Sequence, residues 1–90
     1  MEKTIQWNPQ KDEELRSKRG IGFEDVILLI QQGKILDILP NPSPQYAHQR
    51  MFVLEFKHYC YLVPFVESEH EIFLKTIFPS RKYSKKYLEN

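Results

Sequence analysis

The apolar positions of this chain change their period twice, first at Pro9 and then near Gly33. Before Pro9, Ile5 and Trp7 alternate with polar neighbours in a short β-prone start. Asn8 and Pro9 then mark a helix entrance, because Asn accepts an amide hydrogen bond as N-cap and Pro suits the first helical position. Asp12, Glu13 and Glu14 fall near the positive end of that helix and Lys18 and Arg19 at its negative end. Gly20 offers a left-handed exit, so a helix is predicted over residues 9–19. A second helix is predicted from Ile21 or Gly22, with Gly33 as its stop. There Phe23, Val26, Ile27 and Ile30 repeat at i, i+3, i+4, i+7 and draw one apolar stripe. Leu28 and Leu29 widen it, which predicts burial on more than one side.

After Gly33 the pattern turns β-like. Residues 35–39 read as a strand ending at Pro40. Residues 40–49 hold three prolines, which block both helix and ladder hydrogen bonds and predict the longest loop. Three runs of Val, Ile, Phe, Tyr and Leu follow, over residues 50–56, 59–66 and 71–78. Their short polar links, Lys57 with His58 and then residues 68–70, fit hairpin connections and predict antiparallel neighbours. Pro64 lacks an amide donor, so a bulge or an unpaired stretch is expected there. In the tail Ser84 is a candidate cap for one short helical turn. The order β-α-α-β-β-β-β, with room for that C-terminal helix, predicts an α+β fold. In it two helices cover one face of an antiparallel sheet and leave the other face partly open.

Length and composition narrow the class. Ninety residues, 41% of them hydrophobic, predict a single domain over residues 1–90. Charged residues at 28% and aromatics at 13% argue against disorder. Cys60 is the sole cysteine, so neither an internal disulfide nor a cysteine-based structural zinc site is expected, and a reducing compartment is. Its neighbours Tyr59, Tyr61 and Leu62 place it in the core. No signal-like stretch opens the chain, and no run of about 18 apolar residues exists to span a membrane. A cytoplasmic location without a membrane partner is the expectation. His48, His58 and His70 show no helical i,i+4 pairing, and no glycine-rich phosphate loop is present, so no metal, cofactor or small-molecule ligand is expected.

Charge is unevenly placed. The formal net charge is +1. Residues 75–90 carry five basic side chains against one acidic, or +4, and the remainder carries eight against eleven, or −3. Lys75, Arg81, Lys82, Lys85 and Lys86 thus make one basic end, interleaved with Tyr83 and Tyr87. Such a mixture can neutralise phosphates while aromatic rings stack on bases.

These residues also carry a family pattern. Trp7, Asn8, Pro9 and Lys11, then Lys18, Arg19 and Gly20, then Phe23 and Glu24, follow a W-[D/N]-P-x-K, K-H-G and Phe-Glu order. Arg50 in HQRMFV and the run PSRKYSKK over residues 79–86 follow its later parts. In this the chain resembles, over almost its whole length, the BrnT family of RelE-like ribonuclease toxins from bacterial type II toxin–antitoxin systems. The resemblance implies a RelE-like two-layer fold and a metal-independent endoribonuclease that inhibits translation. It also implies an RNA substrate and a cognate antitoxin, DNA-binding and autoregulating its operon. Arg19 stands where the family has His. Thr76 stands where it often has Arg, with Lys75 on the opposite face of any unbroken strand.

Metal-free RNA cleavage uses the 2′-OH as nucleophile and needs a base, cations for the phosphorane charge and an acid for the leaving oxygen. Arg50 and Arg81 are the candidate phosphate clamps, since guanidinium offers two parallel donors. Lys82 adds charge or acts as the acid. Glu55 and His48 are both candidates for the base, and spacing does not choose between them. Arg19, Lys75, Lys85, Lys86 and Tyr87 are the candidate RNA contacts. Two other readings compete: a catalytically inactive interaction module of the same fold, favoured by the departures at Arg19 and Thr76, and a nucleic-acid-binding accessory protein, resting on the basic end alone.

Overall fold

The structure, a computed structural model, describes residues 3–89. Its elements are β1 (Thr4–Trp7), α1 (Pro9–Arg19), α2 (Phe23–Gln31), β2 (Ile35–Pro40), β3 (Arg50–Phe56), β4 (Tyr59–Glu67), β5 (Glu71–Leu74), β6 (Phe78–Pro79) and α3 (Arg81–Leu88). The proline loop holds one 3₁₀ turn, Pro44–Tyr46.

Local chemistry accounts for the first two helices. The Asn8 side chain accepts from the amides of Gln10 and Lys11 at 2.8 and 3.2 Å, and Gly20 leaves α1 at φ 71°. Asp25 closes the start of α2 by accepting from the Gly22 amide at 2.8 Å. Buried Asp12 ties the helices together. One of its oxygens accepts from the Phe23 amide at 2.7 Å and the other meets Arg16 at 3.2 Å. Gly22 permits this approach, since a Cβ there would lie 2.8 Å from that Asp12 oxygen and 2.6 Å from Arg16 Cγ. Leu28 departs from expectation, being 54% exposed. At 100° per residue it points away from the Phe23–Val26 side that meets the sheet.

The strands form one sheet in the order β1-β5-β4-β3-β2, with β6 beside β4. Every pair is antiparallel except β1 with β5, which run parallel from Thr4 beside Glu71 to Trp7 beside Leu74. The wholly antiparallel sheet is thereby corrected. No hairpin joins β1 to β5, and two helices and three strands lie between them, so the connection leaves their relative direction free.

The sheet is covered on both faces, which corrects the half-open expectation. Phe52, Leu54, Val63, Phe65 and Leu74 pack with Leu15, Ile21, Phe23 and Val26 of the first helical layer. The alternate residues Met51, Val53, Cys60 and Leu62 face the other way, under Phe78, Tyr83, Tyr87 and Leu88. The covering element is α3, an eight-residue helix rather than a single turn. Its cap is Ser80, whose side chain accepts from the Tyr83 amide at 3.2 Å, and not Ser84. Buried Ser84 instead accepts from the Cys60 amide at 2.8 Å and donates to the Ser80 carbonyl at 2.7 Å. The Ser80 amide donates to the Cys60 carbonyl at 2.9 Å. The cap residue Ser80 and Ser84 of α3 thus satisfy a strand residue where no further ladder continues.

The last predicted strand is split. Phe65 pairs with Leu74, but Leu62 pairs with Phe78, one residue out of register, with residues 75–77 between. Pro64 is the cause. Its carbonyl accepts from the Lys75 amide at 2.8 Å, so its nitrogen faces the same side and offers that neighbour no donor. The expected irregularity at Pro64 thus falls on the partner, while β4 itself runs on. At the other margin, β2 is an edge strand. The Ile38 amide donates to its neighbour Asp37 at 2.8 Å, and Pro40 has no amide to offer, which discourages pairing with a further strand.

Candidate functional site

Helix α3 presents a solvent face of four cations. Tyr83, Ser84, Tyr87 and Leu88 turn toward the sheet, leaving Arg81, Lys82, Lys85 and Lys86 exposed on the far side. Among the described residues none of the four pairs with a carboxylate. Two of the lysine ammonium groups lie over the tyrosines, Lys82 at 5.4 Å from the Tyr83 ring centre and Lys86 at 5.9 and 5.4 Å from Tyr83 and Tyr87. Arg81 and Lys82 occupy the first turn, where positive charge opposes the helix dipole.

Tyr87 has another task than base stacking. Its hydroxyl donates to Asp37 at 2.5 Å, anchoring the end of α3 to β2. That hydrogen bond, helped by the Ile38 amide, holds the Asp37 carboxyl below its ordinary range and pushes the Tyr87 phenol up to about 12. Burial pushes the Cys60 thiol beneath α3 up, and the nearby Glu55 charge adds to it, so Cys60 is a packing residue and not a nucleophile.

Beyond the footing of α3, the same face opens into a groove of about 420 Å³. Tyr46, Gln49 and Asn41 of the proline loop form one wall, and Lys75, Thr76 and Phe78 form the other, over Pro64. The bulge shapes this wall. Leu74 and Ile77 both enter the first core, so Lys75 and Thr76 share the opposite face. The bulge is the exception under which the two residues share a face, and it sets a cation beside Thr76. Lys75 Nζ lies 5.3 Å from the Phe73 ring centre, with no carboxylate paired to it among the described residues.

The other candidates are dispersed. Arg50 lies over the Phe65 ring, 5.3 Å from its centre, and is ion-paired with Glu67 on the face of the first two helices. Lys3 bonds the same carboxylate at 2.7 Å, and the two cations hold Glu67 below its ordinary range. Arg50 and Arg81 therefore sit on opposite faces of the sheet. Glu55 shares the α3 face but lies at the other end of β3 from Arg50, roughly 17 Å along the strand. Its cross-strand partner is Cys60, the residue bonded to Ser80 and Ser84, so Glu55 belongs with the start of α3. His58 at the hairpin tip approaches Glu55 at 3.8 Å. His48 is exposed on the proline loop, and Arg19 is exposed at the end of α1. The groove residues Asn41, Tyr46, Gln49 and Phe78 carry no sequence signal of a site, since two segments far apart in the chain supply them.

Among the described residues no three His, Cys, Asp or Glu side chains gather where one metal ion could be held, and no helix is long and apolar enough to cross a membrane. With its mixed sheet and three helices, the architecture is the RelE-like toxin fold. It is similar to the crystal structure of YafQ from E. coli strain BL21(DE3), with a TM-score of 0.54 and 12% identity, covering 91% of this chain and 98% of that one. The sequence matches no family model and no curated protein.

Proposed function

We propose that this chain is the toxin of a type II toxin–antitoxin pair, a BrnT-like endoribonuclease that cleaves RNA without a metal and so inhibits translation. The observation that carries the reading is the α3 face, four cations without carboxylate partners among the described residues on a RelE-like toxin fold. Two of them stand in a first helical turn that disfavours them by roughly 0.3–1 kcal/mol each, a cost that phosphate oxygens would offset.

In this reading the 2′-OH attacks the adjacent phosphorus, the bond to the 5′ oxygen breaks, and a 2′,3′-cyclic phosphate and a 5′-OH result. Arg81 neutralises the phosphorane charge, Lys82 gives the leaving 5′ oxygen its proton, and Lys75, Lys85 and Lys86 hold neighbouring phosphates. Glu55 takes the 2′-OH proton, because it shares the face and the end of the sheet where α3 begins. His48, exposed on the proline loop, is the second candidate base. Arg50 holds Glu67 and steadies the far end of the sheet. The partner is a cognate antitoxin with its own DNA-binding segment, in the cytoplasm.

The test is induced expression of wild type, Arg81→Ala/Lys82→Ala and Arg50→Ala at matched levels, with mapping of cellular RNA ends. Wild type and Arg50→Ala should arrest growth and leave cyclic-phosphate ends, whereas the α3 double variant should do neither. A harmless wild type would remove the toxin reading. Arrest by all three would remove the α3 site.

A further inference from the structure

We propose that the groove between the proline loop and the Lys75–Thr76 bulge is a nucleotide pocket that takes one base of a single-stranded RNA, an inference that rests on the RNA-directed reading above. Gln49 is the first observation. It is only 7% exposed, and its backbone amide and carbonyl are engaged by Tyr46 and Asn41. Its side-chain amide has no hydrogen-bond partner among the described residues, yet none of their side-chain nitrogens or oxygens is sealed without one. The amide therefore keeps some exposure, and Gln49 lines the groove, where its NH₂ donates and its carbonyl accepts. Nucleobase edges carry adjacent acceptors and donors that such an amide matches in pairs.

The walls are the second observation. Phe78, Tyr46 and Pro64 give flat apolar surfaces on which a base stacks, within a space of about 420 Å³ that suits a single small ligand. Lys75 is the third, a cation at the rim without a carboxylate partner among the described residues. It supplies the counter-charge for the nucleotide's phosphate. A purely hydrocarbon ligand fits less well, because it would seal the Gln49 amide with nothing to bond.

The four nucleoside 5′-monophosphates and ribose 5-phosphate serve as probes, titrated into the full chain while backbone amide resonances are followed. At least one nucleotide should bind about tenfold more tightly than ribose 5-phosphate, with the shifts centred on Tyr46, Gln49 and Thr76. Gln49→Met, which keeps the length of the buried side chain, should lower nucleotide affinity about tenfold and leave ribose 5-phosphate unchanged. Thr76→Trp, made at a half-buried wall position, should fill the groove and abolish nucleotide binding even if Gln49→Met fails to fold. Equal binding of ribose 5-phosphate and all four nucleotides, or undiminished nucleotide binding by Thr76→Trp, would overturn the pocket. Nucleotide binding by a chain that neither arrests growth nor cuts RNA would leave the pocket standing and remove the toxin. Cleavage without nucleotide binding would remove the pocket alone.

Discussion

Ser84→Ala isolates the bond that seats α3 on the sheet. The Ser84 hydroxyl accepts from the Cys60 amide at 2.8 Å, and Cys60 is fully buried. Deleting one oxygen leaves that buried amide without its acceptor. An unsatisfied buried amide costs about 1–3 kcal/mol. Alanine recovers roughly 0.5 kcal/mol through its better helix propensity. A net loss of about 1.5 kcal/mol is therefore expected, which for a domain of this size lowers Tm by roughly 6–12 °C. Urea and thermal unfolding followed by circular dichroism measure it directly. Ser80→Ala, which removes only the cap to Tyr83, should cost about 1 kcal/mol. Cys60→Ala keeps the amide and its partner, so it reports the packing loss alone. A change below about 0.5 kcal/mol for Ser84→Ala would show that the helix is held by its apolar side only and that the Cys60 amide needs no acceptor there.

Three further outcomes are expected. Lys57 and His58 turn the β3–β4 hairpin at φ 52° and 64°, a conformation that suits Asn-Gly, so Lys57→Asn/His58→Gly should raise stability by about 1–2 kcal/mol, seen as a higher urea midpoint at unchanged slope. Asp12→Ala strands the buried Phe23 amide and should cost about 2 kcal/mol in the same assay, while Asp12→Asn, which keeps an acceptor, should recover part of it. The Tyr87 phenol is raised from 10.0 to about 12, so its contribution to stability is complete below pH 10 and is lost as pH rises through about 12. The Asp37 carboxyl is lowered from 3.8, so its contribution is present above that value and is lost as pH falls through the folded value. Urea unfolding of wild type and Tyr87→Phe should accordingly show a constant gap between about pH 5 and 9 that closes at both extremes. A gap that widens above pH 10 would contradict the Tyr87–Asp37 bond.

Much of the frame is legible along the chain because it is local. Asn8, Gly20, Gly22 and Gly33 bound two helices through hydrogen bonds and left-handed turns made within a few residues. The β3–β4 hairpin is likewise read from two apolar runs and a two-residue link. Part of the site was legible too: clustering of Arg81, Lys82, Lys85 and Lys86 marks the charged face before any fold is known. The odd separation of Arg50 and Glu55 within one strand also places them on opposite faces, a signal present in the sequence itself.

The remaining features depend on groups that meet only across the fold. Parallel pairing of β1 with β5 follows from where two helices and three strands deliver the chain. The length of α3 depends on an amide and a carbonyl of Cys60 that have no ladder to join, and nothing near residues 80–84 announces them. Lys75 joins Thr76 on one face because Pro64, on the neighbouring strand, offers no donor. The groove exists because that bulge stands opposite a proline loop whose sequence reads only as a spacer. Caps and turns are made among residues close in sequence, so composition and spacing reveal them. Register, facing and cavities arise where distant backbone groups must satisfy one another, and no local pattern contains that condition.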